Sequence, residues 1–225
     1  MVDFTASQNV DQYIANSEEV QRRILKFYRK DAVVIYPPVN NVASSMNYVV
    51  SKKNDTKYKL HTTDYFLAGG RLARPKHIDL IIKTANEMGI PLKVFGKAFA
   101  GYEEELRSLA RGTIEFVGEV SDEEKIELMT NAKAYIMAAE DEDFGILPVE
   151  AMAAGCPVIA YKSGGVRETV IDGKTGIFFD ELTVESLREV LKQFEKTKIS
   201  SDACRKRAEE FSKERFMQNI KKILQ

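Results

Sequence analysis

Cysteine and histidine are scarce in this 225-residue chain, with two of each. Cys156 and Cys204 cannot build a disulfide framework and fit a reducing, cytoplasmic setting. Cys156 lies between a helix and a strand, where a small buried thiol is expected. His61 and His77 have no partners at metal spacing and are expected to be exposed polar residues. No stretch approaches the ~18 apolar residues of a membrane-spanning helix. The opening Met1-Val2-Asp3-Phe4-Thr5 lacks the basic and apolar segments of a signal peptide. The net charge of −1 gives no general attraction to nucleic acid or to an anionic membrane. Gly-x-Ser-x-Gly, a Walker loop, Cys-x-x-Cys and Gly-x-Gly-x-x-Gly are all absent. The last of these absences argues against a nicotinamide cofactor.

What remains is ordinary globular material, 44% hydrophobic and 30% charged, arranged in alternating strand-like and helix-like segments. Tyr13-Ile14-Ala15 is a short apolar run. Ser17 is placed to cap a helix with Val20, Ile24, Phe27 and Tyr28 on one face. Val33 to Tyr36 is a β-branched strand ended by Pro37-Pro38. Residues 40–63 are polar and fit either a hairpin or a loop. From Tyr65 the rhythm becomes regular. Strands are expected at Tyr65–Ala68, Leu92–Phe95, Ile114–Val117, Ala134–Ala138, Pro157–Tyr161 and Gly176–Phe179. Gly69-Gly70 is expected as a turn, followed by a helix from Lys76 to Met88 that buries Ile78, Ile81, Ile82 and Ala85. Another helix is expected from Tyr102 to Ala110. Ser121 and Glu124 form a capping box for the next, and two or three helices finish the chain. Apolar strands separated by amphipathic helices predict an α/β fold, a doubly wound Rossmann-like parallel sheet sandwich.

In such a sheet ligands bind beyond the carboxyl ends of the strands, and most of the conspicuous glycines fall there. Arg71 and Lys76 follow one strand closely, and two cations over the strand ends could neutralise a diphosphate leaving group. The densest signal is Glu142-Asp143-Phe144-Gly145-Ile146-Leu147-Pro148-Val149-Glu150. It follows a buried-looking strand and opens a helix expected from about Pro148 to Ala154. Glu150 is expected on the first turn of that helix, facing the cleft, with a carboxylate suited to a ribose diol. Glu142 could hold sugar hydroxyls. The amides of Phe144, Gly145 and Ile146 are candidates for phosphate and sugar oxygens. Asp141 and Asp143 also give an Asp-x-Asp spacing suited to Mn²⁺ or Mg²⁺, a rival ranked lower because Arg71 and Lys76 already offer positive charge.

Glu142 to Ala160 resembles the Glu-x7-Glu signature of family-4 retaining glycosyltransferases. Gly70-Arg71-Leu72 through Lys76 is similar to that family's Gly-Arg-Leu…Lys segment. Phe116-Val117-Gly118, Ser163-Gly164-Gly165 with Glu168, Asp172-Gly173 and Thr175-Gly176 match further turns. Tyr13 to Ser17 and Ile35 to Val39 look closest to O-antigen-type mannosyltransferases. The resemblance implies one half of a GT-B fold, in which Arg71 and Lys76 hold the diphosphate, Glu142 orients the transferred sugar and Glu150 holds the ribose. It further implies that backbone at Gly70 and Phe144 to Leu147 contacts sugar and phosphate, and that backbone near Val117 reads the base. The expected substrate is a nucleotide sugar, GDP-mannose first, with no metal or other cofactor and no nucleic-acid partner. On this reading residues 1–16 are a remnant of an N-terminal acceptor domain, and 17–225 form the nucleotide-sugar-binding domain. The acceptor half would be supplied in cis or by a separate chain, and any peripheral membrane contact would come through it.

Overall fold

A computed structural model describes residues 2–39, 64–98 and 101–224. The hairpin-or-loop expectation for 40–63, and His61 with it, lies outside the described residues. Six apolar runs build the main sheet: β3 (Phe66–Leu72), β4 (Leu92–Ala98), β5 (Ile114–Gly118), β6 (Tyr135–Met137), β7 (Val158–Tyr161) and β8 (Gly176–Phe179). All pair in parallel, in the order β5-β4-β3-β6-β7-β8. Parallel pairing requires a crossover between consecutive strands. Helices α3 (Ile78–Met88), α4 (Tyr102–Leu109), α5 (Asp122–Asn131), α6 (Ile146–Ala153) and α7 (Val166–Thr169) supply these crossovers, and α8 (Val184–Phe194), α9 (Ser201–Ala208) and α10 (Lys213–Ile223) follow. The chain winds outward from β3 to β5, then returns to the far side of β3 to begin β6. The α/β sandwich expected from the sequence is thereby realised, with its topological switch between β3 and β6.

Strand side chains alternate between two cores. Leu67, Tyr135, Met137, Val158 and Ala160 face one layer, packed against Val149 and Met152 of α6 and Cys204 of α9. Phe66, Ala68, Ile136 and Ile159 face the other, against Ile81 and Ile82 of α3, Leu106 of α4 and Leu187 and Leu191 of α8. Each fully buried aliphatic side chain contributes about 2 kcal/mol, more than a surface ion pair at up to about 1 kcal/mol. The two layers, not the many surface bridges, therefore hold the sheet.

A smaller unit precedes the main sheet. α1 (Val2–Ser7) leads to β1 (Tyr13–Ala15), which pairs in parallel with β2 (Ala32–Val34) through α2 (Glu18–Tyr28). Ser17 caps α2 by accepting from the Val20 amide, and Ser121 and Glu124 form the expected box on α5.

Four local expectations are corrected. The second strand spans 32–34 rather than 33–36. Phe27 is exposed, and Ile24 is the residue that α2 buries. Gly69-Gly70 is not a turn, because β3 runs straight through it with Gly70 opposite Gly96. A Cβ on Gly96 would lie 1.8 Å from the Gly70 carbonyl oxygen, and one on Gly70 would lie 2.4 Å from Leu147 Cδ1. The glycines thus let two strand ends and the start of α6 approach closely. Finally, Lys76 does not begin a helix. It ends a 3-10 turn, Arg74–Lys76, and His77 at φ 47° separates that turn from α3.

Candidate functional site

A cleft of about 240 Å³ opens at the carboxyl ends of β3 and β6. Arg71, Lys76, Glu142, Gly145, Ile146 and Leu147 line it. From the β3 side, Arg71 is the sixth residue of the strand and Lys76 lies in the 3-10 turn beyond it. The Pro75 carbonyl in that turn accepts the Glu140 amide at 3.1 Å, tying the turn to the loop leaving β6. From the β6 side, Glu142 reaches Lys76, and their carboxylate and ammonium are in direct contact. Tyr135 lies buried at the wall of the cleft; its hydroxyl donates to the Gly69 carbonyl at 2.9 Å, and burial holds its pKa well above the usual phenol range.

α6 begins at Ile146, two residues earlier than the sequence suggests, with Gly145 as an N-cap and no side-chain cap bond. The first amides of a helix have no intrahelical acceptor, and their positive end favours anions. Two cations, a helix N-terminus and one carboxylate therefore share a single cleft. The loop between β6 and α6 is fixed on its far side by Ser163-Gly164-Gly165. The Gly165 amide donates to the Glu142 carbonyl at 2.7 Å, and Ser163 Oγ accepts from the Asp141 amide at 3.1 Å. A Cβ on Gly164 or Gly165 would come within 2.2 Å of the Glu142 or Asp143 carbonyl oxygen respectively.

Other expected site residues sit elsewhere. Glu150 lies on the second turn of α6, is buried, and does not line the cleft. Its carboxylate is held by Lys125 of α5 at 3.0 Å, and Lys125 also meets Asp122 at 3.1 Å. Burial pushes the Glu150 carboxyl above its ordinary range against the opposing pull of Lys125. The earlier start of α6 rotates Glu150 away from the first turn and toward α5. Gly70 is spent on packing against Leu147, and Gly69 takes its place in the lining. Phe144 is buried in a trio with Tyr36 and Phe211, ring centroids 5.4 to 5.7 Å apart. Val117 lines a separate hollow of about 290 Å³ with Tyr65, Lys93, Val120 and Leu128.

The Asp-x-Asp pair does not converge. Asp141 meets the Ser163 hydroxyl at 3.3 Å, while Asp143 meets Arg23 at 2.7 Å. Among the described residues no three His, Cys, Asp or Glu side chains gather as a metal site. His77 is half-buried rather than exposed, 3.8 Å from the Glu140 carboxylate. Cys156 is a buried free thiol, as expected. No described helix is long and apolar enough to cross a membrane.

The chain is 24% identical over 224 residues to an uncharacterized glycosyltransferase of Methanocaldococcus jannaschii, covering 97% of this chain and 60% of that protein. It is 29% identical over 202 residues to the alpha-1,3/1,6-mannosyltransferase of Dictyostelium discoideum, covering 74% of this chain and 48% of that protein. The chain thus spans roughly half to three-fifths of the length of these relatives. Among solved structures it superposes on HepE of Anabaena, crystallised with UDP and glucose, with a TM-score of 0.79 at 21% identity, covering 97% of this chain and 64% of that one. That likeness places the fold with the GT-B glycosyltransferases. The family model described as glycosyl transferases group 1 matches residues 50–211, and the chain belongs to that family.

Proposed function

We propose that this chain is the donor-binding half of a retaining, family-4 glycosyltransferase that transfers a hexose, with mannose from GDP-mannose as the first candidate. One observation carries the reading: Arg71, Lys76, Glu142 and the uncapped start of α6 line one cleft at the switch point of the sheet. The cations and the helix end would neutralise the diphosphate as it departs, and Glu142 would hold the hydroxyls of the sugar. At about 240 Å³ the cleft falls below the ~300 Å³ of small ligand pockets. It therefore suits the sugar and diphosphate, with ribose and base lying beyond it toward Glu150 and Val117. The mannosyltransferase relative supports mannose, and the UDP and glucose in the HepE structure make a UDP-sugar the donor to test against it.

The acceptor would be a glycan or lipid-linked sugar, bound by a second half in the same polypeptide or in a separate cytoplasmic chain. Ile14 and Val33 support a covering partner: they lie opposite each other on β1 and β2 and are both exposed. Any membrane contact would come through that half. Binding is expected to survive a chelator, because the cations take the role that Asp141 and Asp143 would give a metal.

Calorimetry with GDP, UDP and GDP-mannose tests the reading. Losing one charge-assisted contact to phosphate costs about 1.5–3 kcal/mol, so Arg71→Ala should weaken binding about tenfold or more. No heat with any nucleoside diphosphate would sink the proposal.

A further inference from the structure

The loop carrying Glu142 is held from outside by a helix that contributes nothing to the cleft. Arg23, in the second turn of α2, donates through Nη1 to Asp143 Oδ1 at 2.7 Å. Through Nη2 it donates to the Asp141 carbonyl at 3.2 Å. The guanidinium thus grips the residue on each side of Glu142. Its Nε donates to Glu19 Oε1 at 3.2 Å, which fixes the plane of the fork. The amides of Glu18 and Glu19 donate in turn to the Glu168 carboxylate at 2.7 and 2.9 Å. Glu168 belongs to α7, which starts directly after Gly164 and Gly165 on the other side of the loop. The loop is therefore pressed between two supports that are also bonded to each other.

Backbone conformation gives the arrangement a purpose. Asp141 sits at φ 53°, a left-handed conformation that Asp adopts more readily than most residues but that still costs free energy unless neighbouring groups favour it. The Arg23 bond to the Asp141 carbonyl acts on that residue. A planar fork with fixed spacing can hold a carbonyl and a carboxylate at once, which a lysine point charge does less well.

We propose that Arg23 is a positioning residue for Glu142, clamping residues 141 and 143 so that the carboxylate between them meets the sugar of a nucleotide-sugar donor. This rests on the reading of Glu142 given above. The clamp acts on the sugar end of the cleft and leaves Arg71, Lys76 and the α6 start in place. Its loss should change discrimination between a nucleotide sugar and the bare diphosphate more than affinity for the diphosphate.

The test uses the 225-residue chain and two matched probe pairs, GDP with GDP-mannose and UDP with UDP-glucose. Arg23→Ala should lower the ratio of sugar-nucleotide to diphosphate affinity about tenfold, the scale expected for a small misplacement of a binding group. Diphosphate affinity should stay within about twofold, and Arg23→Lys should restore part of the ratio. In parallel, amide hydrogen exchange at residues 141–143 should accelerate about tenfold in Arg23→Ala while core amides of β3 keep their protection. Asp143→Asn, which leaves α2 untouched, should shift both readouts the same way. An unchanged affinity ratio, equal loss of both affinities, or wild-type exchange in the loop each overturns the clamp. If the wild-type chain binds none of the four nucleotides, the donor reading fails, and the loop exchange rates still decide whether Arg23 restrains residues 141–143.

Discussion

Lys76 and Glu142 neutralise each other in the cleft, although the proposed chemistry asks them to serve different parts of one ligand. A diphosphate must draw Lys76 from its partner and tolerate a carboxylate nearby. Glu142→Gln removes both obstacles, so GDP or UDP should bind about threefold to tenfold more tightly, as expected for losing one partly exposed ion pair. Calorimetry showing equal or weaker diphosphate binding would refute this internal competition. Glu150 and Lys125 allow a second residue-level prediction. Burial raises the Glu150 carboxyl, so the folded protein binds that proton more tightly than the unfolded chain does. The associated stability is fully present below the unfolded carboxylate pKa and is lost as pH rises through the higher folded value. Lys125→Ala leaves the carboxylate buried beside Asp122 with its cation gone and should cost about 2 kcal/mol or more near neutral pH. Melts at pH 7, 6 and 5 should show the gap to wild type closing as Glu150 takes up its proton. A gap independent of pH would mean that Glu150 is not the group responsible. That Arg71, Lys76 and Glu142 line one cleft was legible in the sequence, because each closely follows an apolar run, although Arg71 lies inside β3 itself. Arg23 was not, since its partners Asp141 and Asp143 lie 118 and 120 residues away.

At the scale of elements, β3 and β4 show what local reading misses. A Gly-Gly pair after four apolar residues is a turn signal on its own terms. The partner that makes it a strand is Gly96, at a register fixed only when the sheet forms. The start of α6 departs from its sequence signal in a related way: Pro148 suggests a first helical position, but Gly145 is the cap and Pro148 falls third. That shift is enough to carry Glu150 from the cleft to Lys125. The capping box at Ser121 and the Ser17 cap form as the sequence predicts, because both partners lie within three residues. Gly96→Ala tests the strand reading. At φ 116° its Cβ would meet the Gly70 carbonyl oxygen at 1.8 Å, a side-chain atom driven into backbone that cannot swing aside, so the strands must separate. About 2–4 kcal/mol of destabilisation is expected in urea melts, together with weaker nucleotide binding because Arg71 lies one residue beyond Gly70. A near-neutral Gly96→Ala would show that the two strand ends have room to spare.

For the whole molecule, the main consequence is how little ladder joins the two halves of the sheet. β3 and β4 are in register over seven pairs, from Phe66 opposite Leu92 to Leu72 opposite Ala98. β3 meets β6 at the single register pair Leu67–Tyr135. The cleft lies over that seam, with Arg71 and Lys76 on one side and Glu142 and the α6 start on the other. A ligand gripping both sides would tie the halves together across their weakest pairing. At a concentration of about 100 times its dissociation constant, a ligand that binds only the folded state adds about 2.7 kcal/mol. For a chain of this size each kcal/mol raises the melting temperature by about 2–4 °C, so saturating nucleotide should raise it by about 5–10 °C. Added protection from hydrogen exchange should concentrate at the seam, at the amides of Leu67 and Lys133, which donate across it to the carbonyls of Ala134 and Tyr65. It should not fall on the outer strands β5 and β8. Arg71→Ala at the same nucleotide concentration should lose about half of both effects or more, since a tenfold weaker ligand at that concentration adds only about 1.4 kcal/mol. A thermal shift without protection at the seam would place the ligand elsewhere on the molecule, and the switch-point site would have to be abandoned.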